Sequence, residues 1–257
     1  MTSKPAASAG AHGGSAGGAE AVGVLTAAAL GSWGLSALCA AGAGVTALSV
    51  ASSLVIPAVA VKSVLRRTER ITSADRVTLV RVALVGVLTA ALVLTSMDEL
   101  AARTWTVLIA ALMATVLDAV DGWVARHVGT STEAGARFDA EADAAALLVL
   151  SALLAMTVGW WVLLIGLMRY LFLAVSLIRP VWQRPSTFSR FRKAVAGFQA
   201  TALVVGLAPV VPVVLATGLA AAALGALLLS FGRDVFALER EARTDGPAPG
   251  ETQGQAG

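Results

Sequence analysis

The sequence predicts an all-α, polytopic integral membrane protein, and three observations support this fold class. Among 257 residues, 57% are apolar and only 14% are charged, and the mean hydropathy is +0.80, unlike a soluble globular chain. The apolar residues form blocks of about 20, the length of helix that crosses a hydrocarbon core of about 30 Å. The basic residues are spread over the loops between these blocks, so the pI of about 9.6 does not indicate nucleic-acid binding.

The N-terminal part is predicted to contain a tail, an extension and a basic segment. Residues 1–20 are mostly Gly, Ala and Ser, with too little apolar bulk to offset the entropy of ordering, so we expect a flexible tail. Residues 21–61 carry no charge and predict an N-terminal transmembrane extension with crossings at about 21–41 and 45–61; one long tilted helix is the alternative. Residues 62–76 form a basic juxtamembrane segment, which suits either a surface helix or a solvated loop.

Residues 77–236 are predicted to form one domain with six further crossings, and residues 237–257 a second flexible tail. Thr72-Ser73-Ala74-Asp75 has the spacing of a capping box, so the first of the six helices should begin there and end near Met97. The remaining five crossings are predicted at about 104–124, 141–158, 160–179, 194–213 and 215–233.

The distribution of basic residues predicts which ends of the helices face the cytoplasm. Four segments hold fifteen of the nineteen Lys and Arg residues, whereas the alternate turns hold only Arg103. By the positive-inside rule, these four segments lie on the cytoplasmic side of the cell membrane. Trp160 and Trp161 lie in an uncharged turn and suit an aromatic anchor on the outer side. The four basic segments are 62–76, 126–137, 179–193 and 233–243.

Four aspartates interrupt the apolar pattern where two predicted helices meet. A carboxylate deep in a spanning helix costs about 2.5–3.5 kcal/mol on insertion scales, so four of them require compensation. Asp118 and Asp121 are three residues apart and share one helix face, while Asp139 and Asp143 are four apart and share another. The polar residues 129–132 allow the helices to form a hairpin. We therefore expect both acidic faces to meet at the cytoplasmic end.

Converging carboxylates of this kind predict a two-metal site. Ligation by oxygen alone favours Mg²⁺ or Mn²⁺ over zinc or copper. Two such cations match the combined charge of four carboxylates and are typical of phosphoryl transfer. Arg126 adds a side chain with bidentate phosphate geometry, and Gly122 and Gly135 allow a ligand to approach the two helix backbones.

The order of these residues resembles the signature of the class I CDP-alcohol phosphatidyltransferases. The resemblance covers about residues 72–236 and all eight fixed positions of the signature. That family typically has a cytoplasmic surface helix followed by six membrane helices, so the two leading crossings lie outside its common pattern. The matching residues are Asp118-x-x-Asp121-Gly122-x-x-Ala125-Arg126, eight further residues, and Gly135-x-x-x-Asp139-x-x-x-Asp143.

The resemblance implies roles for the matching residues. Asp143 would be the general base that takes a proton from the acceptor hydroxyl. The ligands of two divalent cations would be Asp118, Asp121, Asp139 and Asp143. The contacts to the nucleotide and diphosphate would be Gly122, Ala125, Arg126 and Gly135.

The resemblance also implies a reaction and its partners. A phosphatidyl group, or another substituted phosphate, would pass from a CDP-linked lipid such as CDP-diacylglycerol to a small alcohol, with release of CMP, as a step of phospholipid biosynthesis. Family members are commonly dimers, so a homodimer is implied. The acceptor stays open among glycerol 3-phosphate, inositol phosphate, serine and a second lipid.

Several residues outside the signature are further candidates. Arg81 suits either an anchor or a contact to the donor phosphate, and Arg169 lies mid-helix, where a cation needs a partner. Gln199 is a loose match to a family glutamine, and His127 suits a loop residue better than a catalytic one. A basic run before Gln199 slightly favours a phosphorylated acceptor, although its simpler role is to fix topology. This run is Arg190, Arg192 and Lys193.

Three other functions are alternatives to the transferase. A magnesium-dependent membrane prenyltransferase would show a second acidic cluster, and none occurs between Leu147 and Arg233. A transporter or channel would spread polar residues through several crossings, and residues 194–232 carry almost none. A non-catalytic membrane protein of the same fold stays open, although the complete signature argues against it.

Overall fold

The computed structural model describes residues 13–66, 73–128, 133–178 and 189–244. These residues form eight α-helices and one short 3₁₀ turn, with no β-strand among them, which confirms the all-α membrane bundle. The helices are α1 (Gly13–Leu38), α2 (Ala43–Leu65), α3 (Ser73–Ser96), α4 (Trp105–Val128), α5 (Glu133–Val158), α6 (Leu163–Ile178), α7 (Ser189–Leu207) and α8 (Val213–Thr244), and the 3₁₀ turn is Trp160–Val162.

Five of the described helices are long and apolar enough to cross a membrane, so the chain is an integral membrane protein. Two shorter apolar helical segments, Trp105–Val120 and Ala194–Leu207, accompany them. Large apolar side chains such as Leu30, Ile109 and Leu229 are exposed on the outside of the bundle, as expected where lipid tails replace water. The five spans are Gly18–Leu38, Ala43–Leu65, Asp75–Ser96, Arg137–Val158 and Val213–Arg233.

Several helices extend beyond the predicted crossings, because a crossing is limited by the hydrocarbon thickness and a helix is not. Helix α1 begins at Gly13, inside the segment predicted as a flexible tail. Glu20 in its first half pairs with Arg76 of α3 at 2.8 Å, a tertiary contact that the composition of the tail does not reveal. Helix α5 begins at Glu133, before the predicted start near 141, and α8 continues to Thr244, beyond the predicted domain end at 236.

Helix α3 is the central helix of the bundle. About 61% of its span is buried, compared with 28% for the spans of α2 and α8. It contacts α1, α2, α4 and α5, and its Leu88 belongs to a core that also contains Val107 of α4, Leu153 of α5 and Leu203 of α7. The side chains of α3 are therefore held by neighbours on most sides, including those at its end nearest the aspartates.

The N-terminal extension is a helical hairpin, so the alternative of one long helix is wrong. Helix α1 ends at Leu38, and the turn before α2 contains Ala40 with a φ of 51°. Two buried serine pairs join the helices, Ser32 with Ser53 at 2.9 Å and Ser36 with Ser49 at 2.7 Å between hydroxyl oxygens. Small polar residues of this kind allow close packing and hydrogen bonding between membrane helices.

The hairpin packs on α3 through Gly86, where no side chain fits. A Cβ atom at this position would overlap the backbone oxygen of Ser53 and lie 3.1 Å from Cγ of Pro57. We expect Gly86→Ala to lower the thermal unfolding midpoint, because overpacking costs about 1–3 kcal/mol. Gly225→Ala in α8 is the matched control, since its Cβ would meet nothing within 4 Å and alanine is the better helix former. An equal effect of both substitutions would contradict this packing.

Exposed tryptophans mark the end of the bundle opposite the aspartates. Trp33 lies near the end of α1, Trp105 at the start of α4, and Trp160 between α5 and α6. Amphipathic indole rings favour the boundary between hydrocarbon and headgroups. The aspartates therefore lie toward the other membrane surface.

Candidate active site

Three of the four predicted acidic residues converge at one end of the bundle. Asp118 lies in the C-terminal half of α4, and Asp139 and Asp143 lie in the N-terminal half of α5. Because the two helices run antiparallel, these halves lie at the same end. One carboxylate oxygen from each residue lies within 4.8 Å of the others. We call these three residues the aspartate cluster.

A buried arginine from a third helix lies against the aspartate cluster. The guanidinium of Arg81 in α3 pairs with Asp139 at 2.6 Å and with Asp143 at 3.0 Å, and it also donates to Asp118. Its side chain is only 1% exposed, whereas the three aspartate side chains are 38–44% exposed. The acids therefore meet the arginine on the inside of the bundle and remain accessible from the outside.

The charge and chemistry of this group fit a divalent cation. In their ionised forms, three carboxylates and one guanidinium sum to −2. The potential metal ligands in the group are all carboxylate oxygens, which suit Mg²⁺ or Mn²⁺. The spacing of the oxygens would allow one ion to contact all three acids. The described residues thus fit the predicted metal chemistry.

The other signature residues lie on the same two helices. Gly135 lies in the first turn of α5, one turn before Asp139, and is partly exposed. Asp121 lies on α4 three residues beyond Asp118. The contacts of four signature positions lie outside the part of the structure that is described and stay predictions: Asp121, Gly122, Ala125 and Arg126.

Of the remaining candidate residues, only Gln199 has a side chain in the described part of the structure. Gln199 lies on α7 and is only 4% exposed. The side chain of Arg169 on α6 lies outside the described part, as does that of His127. The basic run of Arg190, Arg192 and Lys193 at the start of α7 also has no described side chains. The proposed phosphate contact of this run therefore stays a prediction.

A cavity of about 420 Å³ opens beside the aspartate cluster. Its lining includes Arg81, Asp118 and Asp143, together with Gln199 of α7 and Ser230 of α8. Small and apolar residues form most of the remaining wall. Within the described part of the chain, Nε2 of Gln199 is buried without a hydrogen-bond partner, which leaves its two N–H groups available to a bound molecule. The volume is in the range of small-molecule sites.

The contact of Arg81 with all three acids was not predicted from the sequence. Two features of the sequence pointed toward such a contact. Arg81 is a cation within an apolar helix, where it needs a partner, and the aspartates form a group with excess negative charge. Neither feature identifies the partner, because residue 81 is 37 positions from Asp118 and 58 from Asp139. The packing of α3 against α4 and α5 brings them together.

A comparison with known proteins identifies the family of this chain. The family model described as CDP-alcohol phosphatidyltransferase matches residues 71–230, more than half of the 257-residue chain. The searches of curated proteins and of solved structures returned no significant match. The matched segment begins just before α3 and contains the complete aspartate cluster. The chain therefore belongs to the CDP-alcohol phosphatidyltransferase family.

Proposed function

We propose that this protein transfers a phosphatidyl group from a CDP-linked lipid, such as CDP-diacylglycerol, to an alcohol and releases CMP. Family membership supports phosphatidyl transfer from a CDP-alcohol in general. The observation that carries the proposal is the convergence of three carboxylates from two antiparallel helices, with oxygens within 4.8 Å, beside a cavity of about 420 Å³.

Asp118, Asp139 and Asp143, together with Asp121, would hold two divalent cations in this proposal. Mg²⁺ or Mn²⁺, when bound, would neutralise charge on the phosphate oxygens and on the leaving group. Gly122, Ala125, Arg126 and Gly135 would contact the nucleotide and diphosphate, as the signature implies. A guanidinium is well suited to this task because it binds phosphate oxygens in a bidentate manner.

Asp143 would act as the general base. The acceptor hydroxyl oxygen attacks the lipid-bearing phosphorus of the donor, and its proton passes to the Asp143 carboxylate. A new phosphorus–oxygen bond forms as the bond from this phosphorus to the bridging oxygen breaks. CMP leaves with the bridging oxygen and the bonding electron pair. The exposure of Asp143, at 42%, and its position on the cavity wall support this assignment.

We place this chemistry at the cytoplasmic face of the cell membrane. The aspartate cluster lies at the end of the bundle where α2 ends, with Lys62 in its last turn, and α3 begins, with Arg76 near its start, opposite the exposed tryptophans. The positive-inside rule assigns that end to the cytoplasm. A donor with acyl tails in the bilayer and a nucleotide in water would reach a site at such a boundary.

The proposed acceptor pocket is the part of the cavity near Gln199. The acceptor hydroxyl must approach Asp143, and the same cavity presents the unpaired Nε2 of Gln199. An alcohol with a second oxygen could accept a hydrogen bond from this amide while its hydroxyl reacts. The homodimer implied by the resemblance stays a prediction.

Replacing Gln199 with leucine is expected to raise the KM for the acceptor by about tenfold, the effect of one lost hydrogen bond. The measurement is CMP release at varied acceptor concentration and saturating donor. Thr201→Val is the control, because Thr201 lies on the exposed face of α7 and bonds only to Gly197 of its own helix among the hydrogen bonds described. An unchanged acceptor KM in Gln199→Leu would remove Gln199 from the pocket.

The direct test of the proposed function is a CMP-release assay on the purified full-length protein. CDP-diacylglycerol is offered with glycerol 3-phosphate, inositol phosphate, serine or a lipid alcohol in separate reactions. We expect CMP to form together with a new phospholipid with at least one acceptor. Transfer from a prenyl diphosphate instead, or no CMP with every acceptor, would contradict the proposal.

A further inference from the structure

We propose that Arg81 is the resident counter-ion of the aspartate cluster and competes with divalent cations for its carboxylates. In the metal-free protein, the guanidinium would hold the three acids together. When a cation binds, the same oxygens would exchange the guanidinium for the metal. This inference rests on the metal site of the proposed function.

Arg81 contacts all three acids through a single guanidinium group. Two terminal nitrogens of one guanidinium reach three carboxylates, one nitrogen contacting Asp118 and Asp143 and the other contacting Asp139 at 2.6 Å. The second nitrogen also donates to the backbone oxygen of Asp139 at 3.4 Å. The acids come from two helices and the arginine from a third. Arg81 therefore ties α3 to α4 and α5 at the site.

Arg81 and the three acids differ in how deeply they are buried. Arg81 is 1% exposed, so it lies behind the acids, whose side chains are 38–44% exposed. A cation from solvent would reach the carboxylates from the open side, opposite the guanidinium. Rotation of the exposed aspartate side chains would be enough to exchange the guanidinium for the metal. Arg81 could therefore stay buried in the bundle.

The charge of Arg81 affects both the stability of the metal-free protein and its affinity for a cation. Without Arg81, three ionised carboxylates within 4.8 Å would repel one another, and the metal-free protein would be less stable. The same change would remove a positive charge that opposes an incoming cation. Loss of Arg81 should thus lower the stability of the metal-free protein and raise its affinity for the metal. A residue that only fills the core would not produce these opposite effects.

The experiment measures Mn²⁺ binding and thermal unfolding of purified full-length Arg81→Gln. We expect the Kd for Mn²⁺, measured by electron paramagnetic resonance after removal of bound metal, to fall by at least about tenfold. The unfolding midpoint in chelator should fall, and added Mn²⁺ should raise it by more than in the wild type.

Arg76→Gln is the matched control. Arg76 lies on the same helix, carries the same charge and pairs with Glu20 at 2.8 Å, but its side chain is 63% exposed. We expect its Mn²⁺ affinity to equal that of the wild type. Arg81→Lys keeps the charge without the planar fork, so its Mn²⁺ affinity should lie closer to the wild type than that of Arg81→Gln.

Two outcomes would overturn the inference. The first is unchanged or weaker Mn²⁺ binding by folded Arg81→Gln. If Arg81→Gln does not fold in chelator, the double variant Arg81→Gln/Asp118→Asn is tested, because it restores the net charge of −2 at the site and should fold. The second outcome is that this double variant also fails to fold. Because neither readout involves turnover, a tightened Kd without CMP release in the wild type would contradict only the proposed function.

Discussion

Asparagine in place of Asp143 is expected to reduce CMP release by about a thousandfold or more. The amide cannot take the proton of the acceptor hydroxyl, and it is a weaker ligand for a hard cation than a carboxylate. Because asparagine has nearly the same shape, the yield of folded protein should not fall. The measurement is the initial rate of CMP release, with folded yield followed by size-exclusion chromatography.

Glu141→Gln provides the matched control for this substitution. Glu141 lies on α5 two residues before Asp143, but its side chain is exposed and does not belong to the aspartate cluster. We expect the control to retain wild-type turnover. Asp139→Asn should also lose activity, since it removes another proposed metal ligand. Wild-type turnover in Asp143→Asn would refute the assigned role of the general base.

Removal of divalent metal should lower CMP release to less than about 1% of the untreated rate. Without the cations, charge on the phosphate oxygens and on departing CMP would not be neutralised, and the acids would repel the donor. Addition of Mg²⁺ or Mn²⁺ to the chelated protein should restore the rate. CMP release is measured before chelation, after chelation and after each metal is added.

Chelator saturated with Mg²⁺ is the control for other effects of the chelator on the protein or the detergent. It should leave the activity unchanged. Full activity after exhaustive removal of metal, verified by elemental analysis of the sample, would contradict a metal-dependent transfer. The aspartate cluster would then need another function, with Arg81 as its permanent partner.

The fold was largely predictable because bilayer thickness limits the length of each apolar block. The positions of α2 and α3 follow from this rule, and the start of α3 agrees with the capping-box spacing. Helix ends outside the hydrocarbon were less predictable. Helix α7 ends at Leu207, before the predicted 213, because Pro209 and Pro212 follow and disfavour further helix.

The candidate site was predictable only where one helix face or one hairpin determines the geometry. The spacing of Asp139 and Asp143 follows from the helical repeat, and the antiparallel arrangement of α4 and α5 brings Asp118 to them. The contributions of Arg81 and Gln199 depend on packing between helices distant in sequence. No local pattern specifies that α3 presents a cation to the acids, or that α7 presents an amide to the same cavity.

The serine pairs between α1 and α2 bear on the order in which the protein enters the bilayer. Each hydroxyl finds its partner within the hairpin, or within its own helix. A nascent chain that has emerged only as far as α2 therefore already satisfies these polar groups, without help from later segments. Helix α3 would then pack against a hairpin whose polar groups are already hydrogen-bonded. Arg81 on α3 would pair with its acidic partners only after α4 and α5 had been synthesised.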